Sequence, residues 1–176
     1  MKIFLNPGHG GTDPGACSKS GTKESVVATK VTGILEARLK LNGYPVQVYQ
    51  QKKTYFEISK AENKSGATCF ISIHCNSSTN PNAHGCEVLY CTGSAKGKEL
   101  ATLTQAELVK ATRLFNRGIK PRNDLHVLNR TKAPAILVEL AFISNPTEEK
   151  LLIEKPEIFA NAIWEAIKKF KDKNLI

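Results

Sequence analysis

The feature that most limits the fold is an alternation of short apolar runs with longer stretches of helical spacing. Lys2–Leu5, Val46–Tyr49, Cys69–His74, Glu87–Tyr90 and Ala135–Glu139 read as strands, the third being the clearest buried one. Val127–Leu128 reads as a further, very short strand. Between them, Lys23–Leu41 places Val27, Val31, Ile34, Leu35 and Leu39 on one face of a helix that Gly43 closes. A weaker helical stretch covers Tyr55–Lys64, and Lys96–Phe115 reads as a second long helix. Pro146–Glu154 and Ile158–Lys171 are the closing helices. The last aligns Phe159, Ile163, Ile167 and Phe170, and its charged end, Lys168–Lys173, is expected to fray. Ser77–Gly85 is a polar surface loop carrying His84, and Asn116–Asp124 a basic loop carrying Arg117, Lys120 and Arg122. The pattern predicts an α/β fold, one domain over residues 1–176. Its twisted, mostly parallel (mixed) central sheet would be covered by helices on both faces.

A chain of 176 residues can bury a proper core, and 41% hydrophobic against 23% charged residues is a globular balance. The formal charge of +9 makes any large partner anionic, which leaves nucleic acid, anionic lipid and a bacterial cell wall open. Aromatic residues at 7%, mostly at core spacing, argue against a nucleic-acid module, which stacks bases on aromatic rings set among basic residues. The longest strongly apolar stretch, Ala133–Ile143, is too short to span a bilayer and contains Glu139, so no membrane insertion is expected. The opening apolar run ends at Leu5 and Asn-Pro follows, unlike a signal peptide. That predicts synthesis in the cytoplasm, with action at a cell wall only after release or as a domain of a larger exported protein. Five cysteines without a CxxC pair speak against a zinc knuckle or thioredoxin-type site. Cys69 and Cys75 are expected as small core residues.

One bend stands out. Asn6–Ala16 follows the first strand directly, and its glycines and prolines let backbone pass close to a bound group. It holds His9 at the strand's carboxyl end, where open α/β sheets bind ligands. Gly8-His9-Gly10-Gly11 has neither GxGxxG spacing nor a Lys-Ser/Thr pair, which argues against a phosphate loop. Taken alone, His9 reads as a turn residue facing water, and Glu24 as an acid favoured by the dipole of the helix it opens. Company changes this, because His74 and Glu139 also end strands, and parallel strands bring their carboxyl ends to one edge. Two imidazoles and one carboxylate are a ligand set for catalytic zinc with an open position for water. A further acid that is not a ligand would take that water's proton.

Four ordered motifs carry a resemblance over nearly the whole chain. Pro7–Ala16 matches Pro-Gly-His-Gly-Gly-x-Asp-x-Gly-Ala, Gly21–Glu24 matches Gly-x-x-Glu, and Ser72–Asn76 matches Ser-Ile-His-x-Asn. Pro134–Glu139 and Phe142–Pro146 match Pro-Ala-x-Leu-Val-Glu followed by Phe-Ile-x-Asn-Pro. On these residues the chain resembles the zinc-dependent N-acetylmuramoyl-L-alanine amidases of the type-3 family, which include phage endolysins and bacterial autolysins. The resemblance implies a zinc ion held by His9, Glu24 and His74, with Glu139 as the catalytic acid/base. Asn76, which reads equally as a turn residue, would help orient the substrate. The implied partner is peptidoglycan, and the implied reaction cleaves the amide between the lactyl group of N-acetylmuramic acid and L-alanine. A monomer is expected.

The chain departs from the family in two places. Ile58 stands where arginine is frequent in the helix before the third strand. Asn129 follows the Val-Leu pair where arginine is frequent, with Arg130 one position later. Both positions concern substrate contacts or local structure rather than metal. A peptidase acting on the stem peptide with the same ligands is the first rival. A catalytically dead wall-binding module is disfavoured because all four chemical positions are filled. His84 and His126 match no ligand motif and read as surface residues.

Overall fold

Among the described residues, five of the apolar runs become strands of one sheet, which a sixth strand completes. The computed structural model describes residues 1–51 and 54–174. Along the chain lie β1 (Ile3–Pro7), α1 (Glu24–Leu41), β2 (Val46–Val48), α2 (Phe56–Ser65), β3 (Cys69–Asn76) and β4 (Cys86–Cys91). Then come α3 (Ala95–Thr112), β5 (Asn116–Arg122), α4 (His126–Asn129), β6 (Ala135–Phe142), α5 (Pro146–Glu154) and α6 (Pro156–Asn174). The strands lie in the order β2-β1-β3-β6-β4-β5, in which β2, β1, β3 and β6 run parallel, while β4 is antiparallel to β6 and parallel to β5. The expected mixed, mostly parallel sheet is what forms.

Its two faces are covered unequally. Ile3, Leu5, Ile71, Ile73 and Val138 meet α1, α3 and α6 through Leu35, Leu39, Leu100 and Phe159, all fully buried. The other face carries Phe4, Phe70, Leu89 and Leu137, covered by Ile58 of α2 and by Val127 and Leu128 of α4. Further along these strands the same face turns polar. Alternation by twos puts Asn6, Ser72, His74, Glu139 and Glu87 on it. Register sets Asn6 beside Ser72, and places His74 and Glu87 on either side of Glu139. The site forms on this polar row at the carboxyl ends of the parallel strands.

Several local expectations change. Asn116–Arg122, read as a basic loop, is strand β5. It pairs with β4 alone, and an edge strand tolerates a proline such as Pro121 and uses charge to discourage further pairing, which hides its pattern. Val127 and Leu128 lie in the single turn α4 rather than a strand, packed down on the second apolar cluster. Helix α3 stops before Phe115, where Arg113 takes left-handed backbone at φ 58. The charged end of α6 stays helical to Asn174, whose amide donates to the Phe170 carbonyl. Cys69 and Cys75 are buried as expected, and burial pushes the Cys69 thiol up to about 12. Among the described residues no helix is long and apolar enough to cross a membrane.

Candidate active site

Two glycines make the space in which the site assembles. A Cβ on Gly8 would sit 2.4 Å from the His74 ring. At Gly15, where φ is +69, it would meet the His9 ring at 2.6 Å and Glu24 Oε2 at 2.7 Å. His9 itself has φ 61, an uncommon value for a residue with a side chain. Reciprocal backbone bonds between Gly10 and Asp13, at 2.9 and 3.0 Å, hold the bend in that shape.

Into this space come a bend residue, the first residue of α1 and the end of β3. His9 Nε2 lies 3.1 Å from Glu24 Oε2, and His74 Nδ1 lies 2.9 Å from Glu24 Oε1. One donor atom from each residue falls within 4.8 Å of the other two, so two imidazoles and a carboxylate converge as a metal ion requires. The Ala16 and Cys75 amides donate to Glu24 at 2.9 and 3.0 Å. Burial alone would raise the Glu24 pKa, but hydrogen bonds to His74 and His9 outweigh it and hold the carboxyl well below its usual range. The same bond to Glu24 lifts His9 to about 9, against burial and with help from Asp13.

Each imidazole also has its second nitrogen engaged. His9 Nδ1 lies 2.9 Å from Asp13 Oδ2, which accepts from Gln51 as well. His74 Nε2 lies 3.0 Å from Ser72 Oγ. Asn6 sets the direction of that bond. Its Nδ2 donates to the carbonyls of Tyr49 and Pro7 at 2.9 and 3.1 Å, so its Oδ1 accepts the Ser72 hydroxyl at 2.7 Å. With its hydroxyl hydrogen directed at Asn6, Ser72 accepts from His74 Nε2–H, which leaves Nδ1 to ligate. Imidazole ligands in metal centres are oriented by outer partners of this kind. Donor set and outer partners together fit a metal ion.

Glu139 stands beside this cluster, across from His74 in the β3–β6 register. Its Oε2 is sealed from solvent and has no hydrogen-bond partner among the described residues. Burial pushes its pKa up to about 7, against the pull of His74 and with help from Glu24 and Glu87. An acid poised there can take a proton and return it near neutral pH. On its other side, Glu87 Oε2 meets Arg117 Nε at 3.0 Å and Lys120 Nζ at 2.6 Å. Asn76 Nδ2 donates to Glu87 Oε1 at 2.9 Å, and its Oδ1 accepts from the Ser77 amide, so that side chain braces Glu87.

A cavity of about 330 Å³ opens between the imidazoles and the α2–α4 cover. Ile58, Val127 and Leu137 give it an apolar side, and the departure at position 58 therefore places a buried isoleucine against the site. His84 is exposed, as read from sequence. His126 is drawn in further than expected: α4 folds back over α2, and His126 Nε2 lies 2.9 Å from Ser59 Oγ.

Sequence reasoning assigned no role to Asp13 or Ser72, though both carried a signal. Ser72 precedes His74 by two and so shares its strand face, and Asp13 sits inside the His9 motif. Glu87, Arg117 and Lys120 meet only through strand pairing, which no spacing in the chain announces.

Known proteins share this arrangement of the chain. The family model described as N-acetylmuramoyl-L-alanine amidase matches residues 3–169. A probable cell wall amidase, LytH, of Staphylococcus saprophyticus subsp. saprophyticus is 36% identical over 172 residues, covering 96% of this chain. The chain spans 57% of the length of that curated relative. Among solved structures, an N-acetylmuramoyl-L-alanine amidase from Clostridium difficile 630 is 29% identical, with a TM-score of 0.89 over 97% of this chain and 96% of that one. The CwlD amidase of Clostridioides difficile, solved in complex with the GerS lipoprotein, is 30% identical, with a TM-score of 0.88 over 97% of this chain and 98% of that one.

Proposed function

We propose, on the premise that this chain belongs to the N-acetylmuramoyl-L-alanine amidase family, that it is a zinc-dependent hydrolase of peptidoglycan. The bond cut is the amide between the lactyl group of N-acetylmuramic acid and L-alanine. The observation that carries this is the convergence of His9, Glu24 and His74 beside an unpartnered Glu139 oxygen. Two nitrogens and one carboxylate suit zinc and leave a position open.

Zinc, when bound, supplies Lewis-acid chemistry, polarising an acyl oxygen and acidifying water. The chain's own residues do the rest. Asp13 and the Ser72–Asn6 pair hold the imidazoles in their ligating orientation. Glu139 Oε2 takes the proton of the attacking water as its oxygen bonds to the lactyl acyl carbon. As the carbon–nitrogen bond breaks, Glu139 returns that proton to the alanine nitrogen, leaving a lactyl carboxyl and a free amine. The charge of +9 favours an anionic wall. The chain would act there after release from the cell, or as a domain of a larger exported protein.

Digestion of purified sacculi tests this. New N-terminal L-alanine should appear without new reducing ends, and a chelator should stop the reaction until zinc is restored. Amines freed at another stem residue would identify a peptidase instead, and reducing ends a glycosidase.

A further inference from the structure

Two large aromatic side chains stand outside the core, at the mouth of the site. Tyr55 and Phe56, at the start of α2, are each 50% exposed. Their rings stack on each other at 4.6 Å and 30°. His126 backs the pair, edge-on to Phe56 at 4.5 Å and tilted to Tyr55 at 5.3 Å. The bond between His126 and Ser59 holds the imidazole in place against the pair. Burial and the nearby Arg130 lower the His126 pKa, which favours the uncharged ring.

A second cavity, of about 590 Å³, lies over this corner, with Asn123, Asp124 and Asn129 on its rim. Tyr55, Asp124 and His126 border both it and the cavity beside the imidazoles, so one groove runs from the metal ligands past the aromatic rings. Here Arg122 grips Asp124 through two bonds of 2.7 and 2.6 Å, and Arg130 lines the cavity as well. Cations stand on the opposite side of Glu139 too. There Arg117 and Lys120 share the single carboxylate of Glu87, leaving a cationic surplus suited to the carboxylates of a stem peptide.

We propose that the Tyr55–Phe56–His126 corner is the subsite for an N-acetylated pyranose of the glycan strand, which fixes the substrate with its sugar toward α2 and α4 and its peptide toward β5. A pyranose presents an apolar C–H face and a polar rim. The face matches exposed flat rings, and the rim matches amide and carboxylate side chains around them. Once its lactyl carboxyl is tied into the amide, such a sugar is uncharged and needs no ion partner from this side of the groove. The assignment rests on the amidase reading, but sugar binding can be measured without turnover.

The test uses the zinc-loaded parent, Tyr55→Ala and Tyr55→Phe, with a soluble disaccharide muropeptide as substrate and N-acetylchitotetraose, which has no peptide, as binding probe. The parent should bind the tetraose. Tyr55→Ala should raise both its Kd and the muropeptide KM on the order of 10-fold, as loss of an aromatic anchor does, while kcat, zinc content and melting temperature hold. Tyr55→Phe, which keeps the ring, should stay near the parent in both. A parent that ignores the tetraose, or a Tyr55→Ala protein that binds it equally well, overturns the subsite. Failure of the parent to release peptide from the muropeptide overturns the amidase reading instead, and leaves the tetraose result standing on its own.

Discussion

The two faces of the sheet are made from the same strands and do different work. On β3, Cys69, Ile71, Ile73 and Cys75 point into the thick core under α1, α3 and α6, while Phe70, Ser72 and His74 point the other way. One residue of offset separates a packing position from a functional one. The thick face buries the larger share of the apolar side chains, Leu35, Leu39, Leu100 and Phe159 among them. The thin face, covered at one end only, can therefore keep a strained histidine and a carboxylate oxygen without a partner.

Metal-free proteins give the sharpest break between the faces. His74→Ala should abolish zinc retention and hydrolysis while lowering the urea midpoint of the metal-free chain only modestly, because Glu24 keeps His9 and the Ala16 and Cys75 amides as partners. Phe159→Ala, on the thick face, should cost about 3–5 kcal/mol, yet its folded fraction should bind zinc and turn over like the parent. The comparison fails if His74→Ala destabilises the metal-free chain as much as Phe159→Ala does.

A smaller effect lies in the zinc-binding equilibrium itself. His9, at about 9 without metal, carries a proton at pH 7.5 that ligation must expel. Calorimetry in buffers of different ionisation heat should count about one proton released by His9, fading as pH rises through about 9. In the metal-free chain the same shift adds stability that is complete below 6.5 and is lost as pH passes about 9. Ser72→Ala should weaken zinc by about 10- to 100-fold through the freed His74 ring, with the His9 proton still released. Parent-like zinc affinity in Ser72→Ala would remove the Asn6–Ser72 relay from the account.

The thick face was the legible one. α1 and α6 announce themselves through apolar residues at helical spacing, and β3 and β6 through continuous apolar runs. The convergence of His9, Glu24, His74 and Glu139 was also legible, because each follows or lies toward the carboxyl end of a parallel strand or opens a helix, although β3 and β6 run on past His74 and Glu139 to Asn76 and Phe142. What stayed hidden belongs to the thin face and the sheet's far edge. β5 contacts one neighbour and so carries no buried pattern, and α4 is too short to show any period. The cations on Glu87 come together across an antiparallel register that local sequence does not encode. Tyr55 and Phe56 open a stretch with only a weak helical pattern, and it is their exposed place at the groove mouth that singles them out.

The central claim is a division of labour between two acids, Glu24 holding the metal and Glu139 moving the proton. Glu139→Gln tests it directly, because the amide keeps the size of the side chain and removes only the base. Zinc content, melting temperature and release of L-alanine peptide from a soluble muropeptide should be measured beside the parent. The expected result is a stable, zinc-loaded protein whose turnover falls by roughly 10²- to 10⁴-fold or more, the usual worth of general acid–base catalysis. A stable, zinc-loaded Glu139→Gln protein that keeps most of its activity would contradict the account.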